Sequence, residues 1–217
     1  MNIVIFGATG ATGQCLVEQA LSQGYKVTAF VRNPLALTTR HAHLSTVAGD
    51  VFQKGSVEEA IANQEAVLCT IGGHDRLRVA LSGHPHQKGL CSIGTSTILE
   101  AMKHYGVSRF ICLSAWGVGE SFDRLPFVFK HLILPLLMKE EYADKAAQEQ
   151  LIRQSTLDWT IVRPCRLTNG PRTGRYRMQS SLAFSLRSSI SRADVADSML
   201  RQLTDATFRQ QCLEVSY

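Results

Sequence analysis

Three glycines spaced three residues apart constrain this chain more than anything else in it. The apolar run Ile3-Val4-Ile5-Phe6 ends at Gly7, and Gly10 and Gly13 follow within Gly7-Ala8-Thr9-Gly10-Ala11-Thr12-Gly13. Leu16, Val17, Ala20 and Leu21 then recur at helical spacing. Physically this is a strand, a tight turn and a helix whose free N-terminal amides face the turn. Gly7 reverses the chain, Gly10 admits backbone to a phosphate, and Gly13 brings helix and strand close together. The amides and the helix dipole suit a pyrophosphate. A glycine triplet alone is weak evidence, but this one follows a β-rich run, opens a helix and leads to a second strand, as a βαβ unit requires.

The remainder alternates in the same way. The spacing predicts a helix to about Gln23 stopped at Gly24, and strands over Lys26–Val31, His43–Gly49, Ala66–Ile71, Arg109–Leu113 and Asp158–Pro164. Ser56 and Glu59 read as a capping box for a helix over Val57–Ala62, and Ser191 and Asp194 as one for a last helix to about Leu203. A long helix from Leu90 ends at Gly106. A polar one over Lys139–Gln154 is expected to set Ala143, Ala146, Ala147 and Leu151 on an apolar face. Cys212–Val215 reads as an edge strand, and 74–88 as a long loop over the site. The expected fold is α/β: a doubly wound parallel sheet of the Rossmann type in three α/β/α layers. Residues 1–217 would form one domain with a small C-terminal substrate-side region, a length able to bury a full core.

The second strand ends at Arg32, where an NAD-binding chain usually places an acid against the ribose 2′-hydroxyl. A guanidinium there suits a 2′-phosphate, so NADP(H) is the expected cofactor. Asp50 could accept from the adenine amino group or simply cap a loop, and Gly72 lies where ribose or phosphate could pass. The net charge of +5 is spread without a basic block or interleaved aromatics, which suits a polyanionic dinucleotide and not nucleic acid. Six cysteines without C-x-x-C spacing read as free, mostly buried thiols, and His84-Pro85-His86 lacks a third ligand for a metal. The apolar stretch Pro126–Met138 contains Lys130, His131 and Pro135 and is too short to span a bilayer. It reads as a lid, a partner surface or core. Met1 leads directly into the first strand, so a cytoplasmic setting is expected, with no membrane partner.

These motifs, with Gly49-Asp50-Val51, Leu157 to Pro164 and Asn169-Gly170-Pro171-Arg172-Thr173-Gly174, carry a family resemblance. The chain resembles the atypical short-chain dehydrogenase/reductases of the NmrA-like group, and among them the biliverdin reductase B (flavin reductase) type, over nearly its whole length. The resemblance implies cofactor contacts at Gly7, Thr9, Gly10, Ala11, Thr12, Gly13, Arg32, Asp50, Val51 and Gly72. It places Ser114 beside the nicotinamide and Pro164 along its edge. The main reductase family uses a Tyr with a Lys four residues on. Here the lysine position is Lys145 and the tyrosine position is Glu141, while Tyr142 is one residue, about 100° of helix, out of phase.

The implied function is NADPH-dependent hydride transfer to a flat conjugated acceptor such as a flavin, quinone or tetrapyrrole. Such an acceptor tolerates the missing Tyr acid. Ser114 and Lys145 are the catalytic candidates, the partner is a small-molecule acceptor, and the chain is a monomer or weak homodimer. For Lys145 the alternative is an exposed pair with Glu141; for Ser114 it is a capping hydroxyl. Two other functions stay open at this point: an NADP-binding redox sensor without turnover, and a sugar epimerase or dehydratase.

Overall fold

Near-continuous apolar strands cannot face water on either side, and the computed structural model buries them between two helical layers. It describes residues 1–72, 88–185 and 187–217. The strands are β1 (Asn2–Phe6), β2 (Lys26–Val31), β3 (Leu44–Ala48), β4 (Ala66–Cys69), β5 (Arg109–Leu113) and β6 (Asp158–Pro164). They are followed by the short β7 (Arg166–Thr168), β8 (Arg177–Gln179) and β9 (Ser189–Ser191), and by β10 (Gln211–Ser216). The main sheet has eight strands in the order β3-β2-β1-β4-β5-β6-β10-β8, and β7 pairs with β9 separately. All neighbours in the main sheet run parallel except β10 and β8. Residues of β4 and β5 are buried throughout, as befits strands covered on both faces.

Helices α1 (Ala11–Ser22) and α5 (Arg192–Arg201) cover one face, and α2 (Lys54–Ile61), α3 (Leu90–Tyr105) and α4 (Lys139–Gln154) the other. The side chains divide accordingly. Ile3, Ile5, Leu68, Ile111 and Val162 pack with α1 and α5, whereas Val4, Phe6, Val67, Phe110 and Ile161 pack with α2 and α3. This is the Rossmann-like α/β fold that the alternation of elements predicts.

Several local expectations are corrected. The Ser56 hydroxyl donates to the carbonyls of Gln53 and Asp50 and caps nothing, because α2 begins earlier, at Lys54. Half of the other capping box holds: Ser191 Oγ accepts from the Asp194 amide at 2.9 Å, but the Ser191 amide donates to the Tyr217 hydroxyl at 3.2 Å instead, and α5 stops at Arg201. β4 ends at Cys69, two residues short of the apolar run. β10 is not an edge, since antiparallel β8 lies outside it. Phe129–Met138 coils as a π-helix containing Pro135, which has no N–H to close a regular turn, and it leads into α4. It is not plain core: Phe127 is 75% and Leu136 71% exposed. All but the last residue of the expected 74–88 loop, with His84 and His86, lie outside the described residues.

Candidate functional site

The site is built at the carboxyl ends of β1, β4, β5 and β6. At β1, Gly7 turns the chain with φ +81°, and the amide of Gly10 donates to its carbonyl at 3.0 Å. A Cβ on Gly13 would stand 2.1 Å from that same carbonyl oxygen, so only glycine lets α1 start this close to the strand. Gly10 is the exposed N-cap of α1, with no side-chain cap and no acid in the first turn. The first amides of a helix have no intrahelical partner, so those of α1 and its positive dipole end face outward beside Thr9 and Thr12. These residues can hold a pyrophosphate.

Arg32 follows β2, exposed and without a hydrogen bond or ion pair among the described residues. The Asp50 carboxylate accepts from the Phe52 amide at 3.1 Å, which is the loop-capping arrangement, and its other oxygen has no partner among the described residues. Val51 is a buried core residue: a Cβ on Gly94 of α3 would meet its Cγ2 at 2.9 Å, so the bare glycine makes room for it.

At β4 and α4 the structure corrects the expectation for the polar helix. Ala143, Ala146 and Ala147 are exposed, and the inward face of α4 carries Lys145, Gln148, Glu149 and Ile152. Two of its polar members have hydrogen-bonded inward partners. Gln148 donates to Thr95 Oγ1 at 2.8 Å, and Glu149 pairs with Arg163 of β6, whose Nε donates at 2.9 Å. Asp144 accepts from the amides of Cys91 and Ser92 at 2.8 and 3.0 Å and so caps the start of α3. Lys145 is therefore no exposed partner of Glu141. It is 6% exposed, and its Nζ would lie 2.8 Å from a Cβ on Gly72. That residue has φ +133°, which with this contact leaves room for nothing but glycine. Burial opposes the lysine's charge, but the charges that Cys91, Cys112, Glu141 and Cys69 carry when ionised outweigh it, so its pKa lies above the ordinary lysine value and the ammonium persists. Burial pushes the Cys91 thiol up to about 12, so near neutral pH this neighbour adds no charge of its own. All six cysteines are free.

At β5, Ser114 is 4% exposed, and its Oγ has no hydrogen-bond partner among the described residues. Among the described residues it caps nothing, and its amide donates to the Val162 carbonyl at 2.8 Å. The Trp116 amide continues the ladder to the Pro164 carbonyl at 3.0 Å. Pro164 is buried, and its carbonyl is the acceptor of that bond. Tyr142 donates its hydroxyl to the Trp116 carbonyl at 3.1 Å, and burial raises its pKa to about 12. It is a poor proton donor.

An ion network that reaches from buried Arg163 and Glu149 out to exposed Glu120 and Arg153 holds the segment that follows. Arg163 donates to Glu120 at 2.8 and 3.1 Å while also engaging Glu149, and Arg153 joins Glu120 from outside. Burial works against the Glu120 charge, yet the bonds from Arg163, its own amide and Arg153 bring its pKa down to about 2. Sequence reasoning brought Trp116 and Arg163 near the nicotinamide only through the family resemblance, and it assigned no part to Asp144 and Glu149. The only available signal was a polar helix with i, i+3, i+4 spacing of long polar side chains.

Glycine turn, outward amides and parallel sheet define a nucleotide-binding Rossmann protein. A family model described as NAD(P)H-binding matches residues 7–206, and the chain belongs to that family. It is 29% identical to an uncharacterized chloroplastic protein of Arabidopsis thaliana over 82% of this chain and 63% of that protein. It is 26% identical to the uncharacterized sugar epimerase YhfK of Bacillus subtilis, over 100% of this chain and 94% of that protein. The chain spans 63%, 47% and 32% of the lengths of three curated relatives it matches. Among solved structures, ChuY, an anaerobillin reductase of Escherichia coli O157:H7, superposes with TM-score 0.80 at 22% identity, covering 99% of this chain and 96% of its own. A short-chain dehydrogenase/reductase of Veillonella parvula in complex with NADP gives 0.79 at 21%, covering 100% and 94%. Among the described residues no helix is long and apolar enough to cross a membrane, and no cluster of His, Cys, Asp and Glu could hold a metal ion.

Proposed function

We propose that the protein is an NADPH-dependent reductase that delivers hydride to a flat, conjugated acceptor of the flavin, quinone or tetrapyrrole kind, with biliverdin reductase B-type enzymes as its nearest functional analogy. The observation that carries this reading is the buried, unpartnered hydroxyl of Ser114 at the carboxyl end of β5. A polar atom withdrawn from water and left without a partner is costly, and a ligand is the natural way to satisfy it.

When bound, the cofactor supplies a hydride from nicotinamide C4. Gly7, Thr9, Gly10, Ala11, Thr12 and Gly13 hold its pyrophosphate, Arg32 its 2′-phosphate, and Asp50, Val51 and Gly72 border its adenosine and ribose portions. Ser114 orients the nicotinamide or the acceptor, with the backbone of Pro164 along the opposite edge. Lys145 keeps a positive charge behind Gly72, where it favours the anionic character that an acceptor gains with the hydride. Tyr142 does not replace the missing acid, because its hydroxyl is tied to the Trp116 carbonyl. A conjugated acceptor spreads the added charge and takes its proton from water, so the protein chiefly supplies orientation. The same argument disfavours epimerase or dehydratase chemistry, despite the name of the Bacillus relative. The thiols and the scattered charge suit a cytoplasmic protein that works on small molecules.

The test is NADPH oxidation by the purified protein with FMN, with menadione and with no acceptor. Acceptor-dependent turnover that falls about tenfold or more in Ser114→Ala is expected. NADPH binding without oxidation by either acceptor would favour a redox sensor instead.

A further inference from the structure

The Ser114 hydroxyl has a companion. The indole Nε1 of Trp116 is also buried and also lacks a hydrogen-bond partner among the described residues. An indole N–H is a donor only, and buried indoles usually find an acceptor. The two orphans share a strand extension. The amides of Ser114 and Trp116 donate in turn to the carbonyls of Val162 and Pro164, so both residues are held against the end of β6. Cys112, two residues before Ser114, faces the α3–α4 layer that carries Lys145.

Trp116 is also held rigidly. Its amide and carbonyl are both engaged, the latter by Tyr142, and its ring meets Phe184 edge to face at 4.7 Å and 87°. A donor held this firmly, with no acceptor among the described residues, is preorganised for a ligand.

We propose that Trp116 Nε1–H donates to a carbonyl oxygen on the edge of the bound acceptor and makes the site selective for flat acceptors that carry one. The inference builds on the reductase reading above. For a quinone, NADPH and quinone become NADP⁺ and hydroquinone monoanion as the hydride moves with its two electrons. A proton from water then completes the hydroquinone. The negative charge formed on the quinone oxygen strengthens the indole bond as reduction proceeds.

Trp116→Phe keeps an aromatic ring against Phe184 but removes the N–H together with part of the indole, and the carbonyl-free acceptor below controls for the lost ring. Titration calorimetry of the NADP⁺-loaded protein should show the Kd of menadione and of FMN rising about tenfold, with the Kd of NADPH unchanged. In turnover, kcat/KM for both should fall similarly, while phenazine methosulfate, which has no carbonyl, is unaffected. With two tryptophans in the chain, the Trp116 indole ¹⁵N–¹H resonance of wild-type protein gives a readout free of mutation, and it should move downfield when menadione is added. Unchanged acceptor affinity in Trp116→Phe, equal losses with phenazine methosulfate, or an unmoved indole resonance would each overturn the assignment, as would wild-type protein that binds neither acceptor. Wild-type protein that binds menadione through this resonance yet never oxidises NADPH would refute the reductase and leave the indole contact standing.

Discussion

Replacing Gly13 and Gly10 by alanine should separate two roles that the glycine turn combines. At Gly13 the added Cβ would lie 2.1 Å from the Gly7 oxygen, 2.8 Å from its carbonyl carbon and 2.9 Å from the Ala8 Cα. All three are backbone atoms, and none can rotate aside. Ordinary contact begins at 3.4 Å, so α1 and the turn must part by 3.4 − 2.1, about 1.3 Å. Overpacking of this kind costs about 1–3 kcal/mol, and a rigid obstacle argues for the upper end. Alanine in place of helical glycine returns about 1 kcal/mol, which leaves a net loss of about 2 kcal/mol. For a chain of this size that is a fall in Tm of about 4–8 °C. At Gly10 the nearest atom is the Gly7 oxygen at 3.3 Å, so the fold should lose no more than about 1 kcal/mol, mostly through a poorer N-cap. Its methyl, however, stands in front of the α1 amides, and the Kd of NADPH should rise about tenfold or more. Thermal unfolding and fluorescence titration of both variants decide the matter. A Gly13→Ala protein as stable as wild type would refute the close approach, and a Gly10→Ala protein with unchanged NADPH affinity would refute the phosphate site.

Two further outcomes are expected. Arg32→Ala should raise the Kd of NADPH about 10- to 100-fold and leave that of NADH unchanged, since an exposed guanidinium engages only the 2′-phosphate; equal losses in parallel titrations would count against this. Asp194 is buried at the start of α5 and accepts from the Thr173 and Gly174 amides, the Thr173 hydroxyl and Tyr217. Asp194→Ala should cost about 3 kcal/mol at pH 7 by orphaning those donors. Burial opposes its charge, but the Tyr217, Gly174 and Thr173 bonds outweigh it and depress its pKa. A depressed carboxyl stabilises the fold above its unfolded value, about 3.9, and loses that contribution as pH falls through the lower folded value. Urea unfolding should therefore show wild type and variant converging below about pH 4.

What was legible in the sequence was whatever periodicity controls. β2, β5 and β6 and the long helices follow from apolar runs and 3.6-residue spacing, because burial between two layers dictates those patterns. The misreadings fall where a local signal has two physical meanings. Ser56 and Glu59 satisfy the capping-box spacing, but a serine inside the first turn can bond backwards to a carbonyl equally well, and it does so here. β10 looked like an edge because β8 pairs with it over only three residues that carry no alternation of their own.

The polar helix shows why the site itself was only partly visible. By apolar spacing, Ala143, Ala146, Ala147 and Leu151 should face the sheet, yet α4 turns Lys145, Gln148 and Glu149 inward instead. An alanine face would have gained little from burial, roughly 0.8 kcal/mol per methyl-sized group. The polar face is held by specific partners: Arg163 for Glu149, Thr95 for Gln148, and the thiols and Gly72 around Lys145. Those partners come from β4, β5, β6 and α3, far apart in the chain, so no window of sequence contains the reason for the inversion. Departures from the local rule are expected to gather at functional sites. Here the inverted helix, the residue that glycine alone can occupy beside it, and the orphaned donors of Ser114 and Trp116 all meet at the carboxyl ends of β4 and β5.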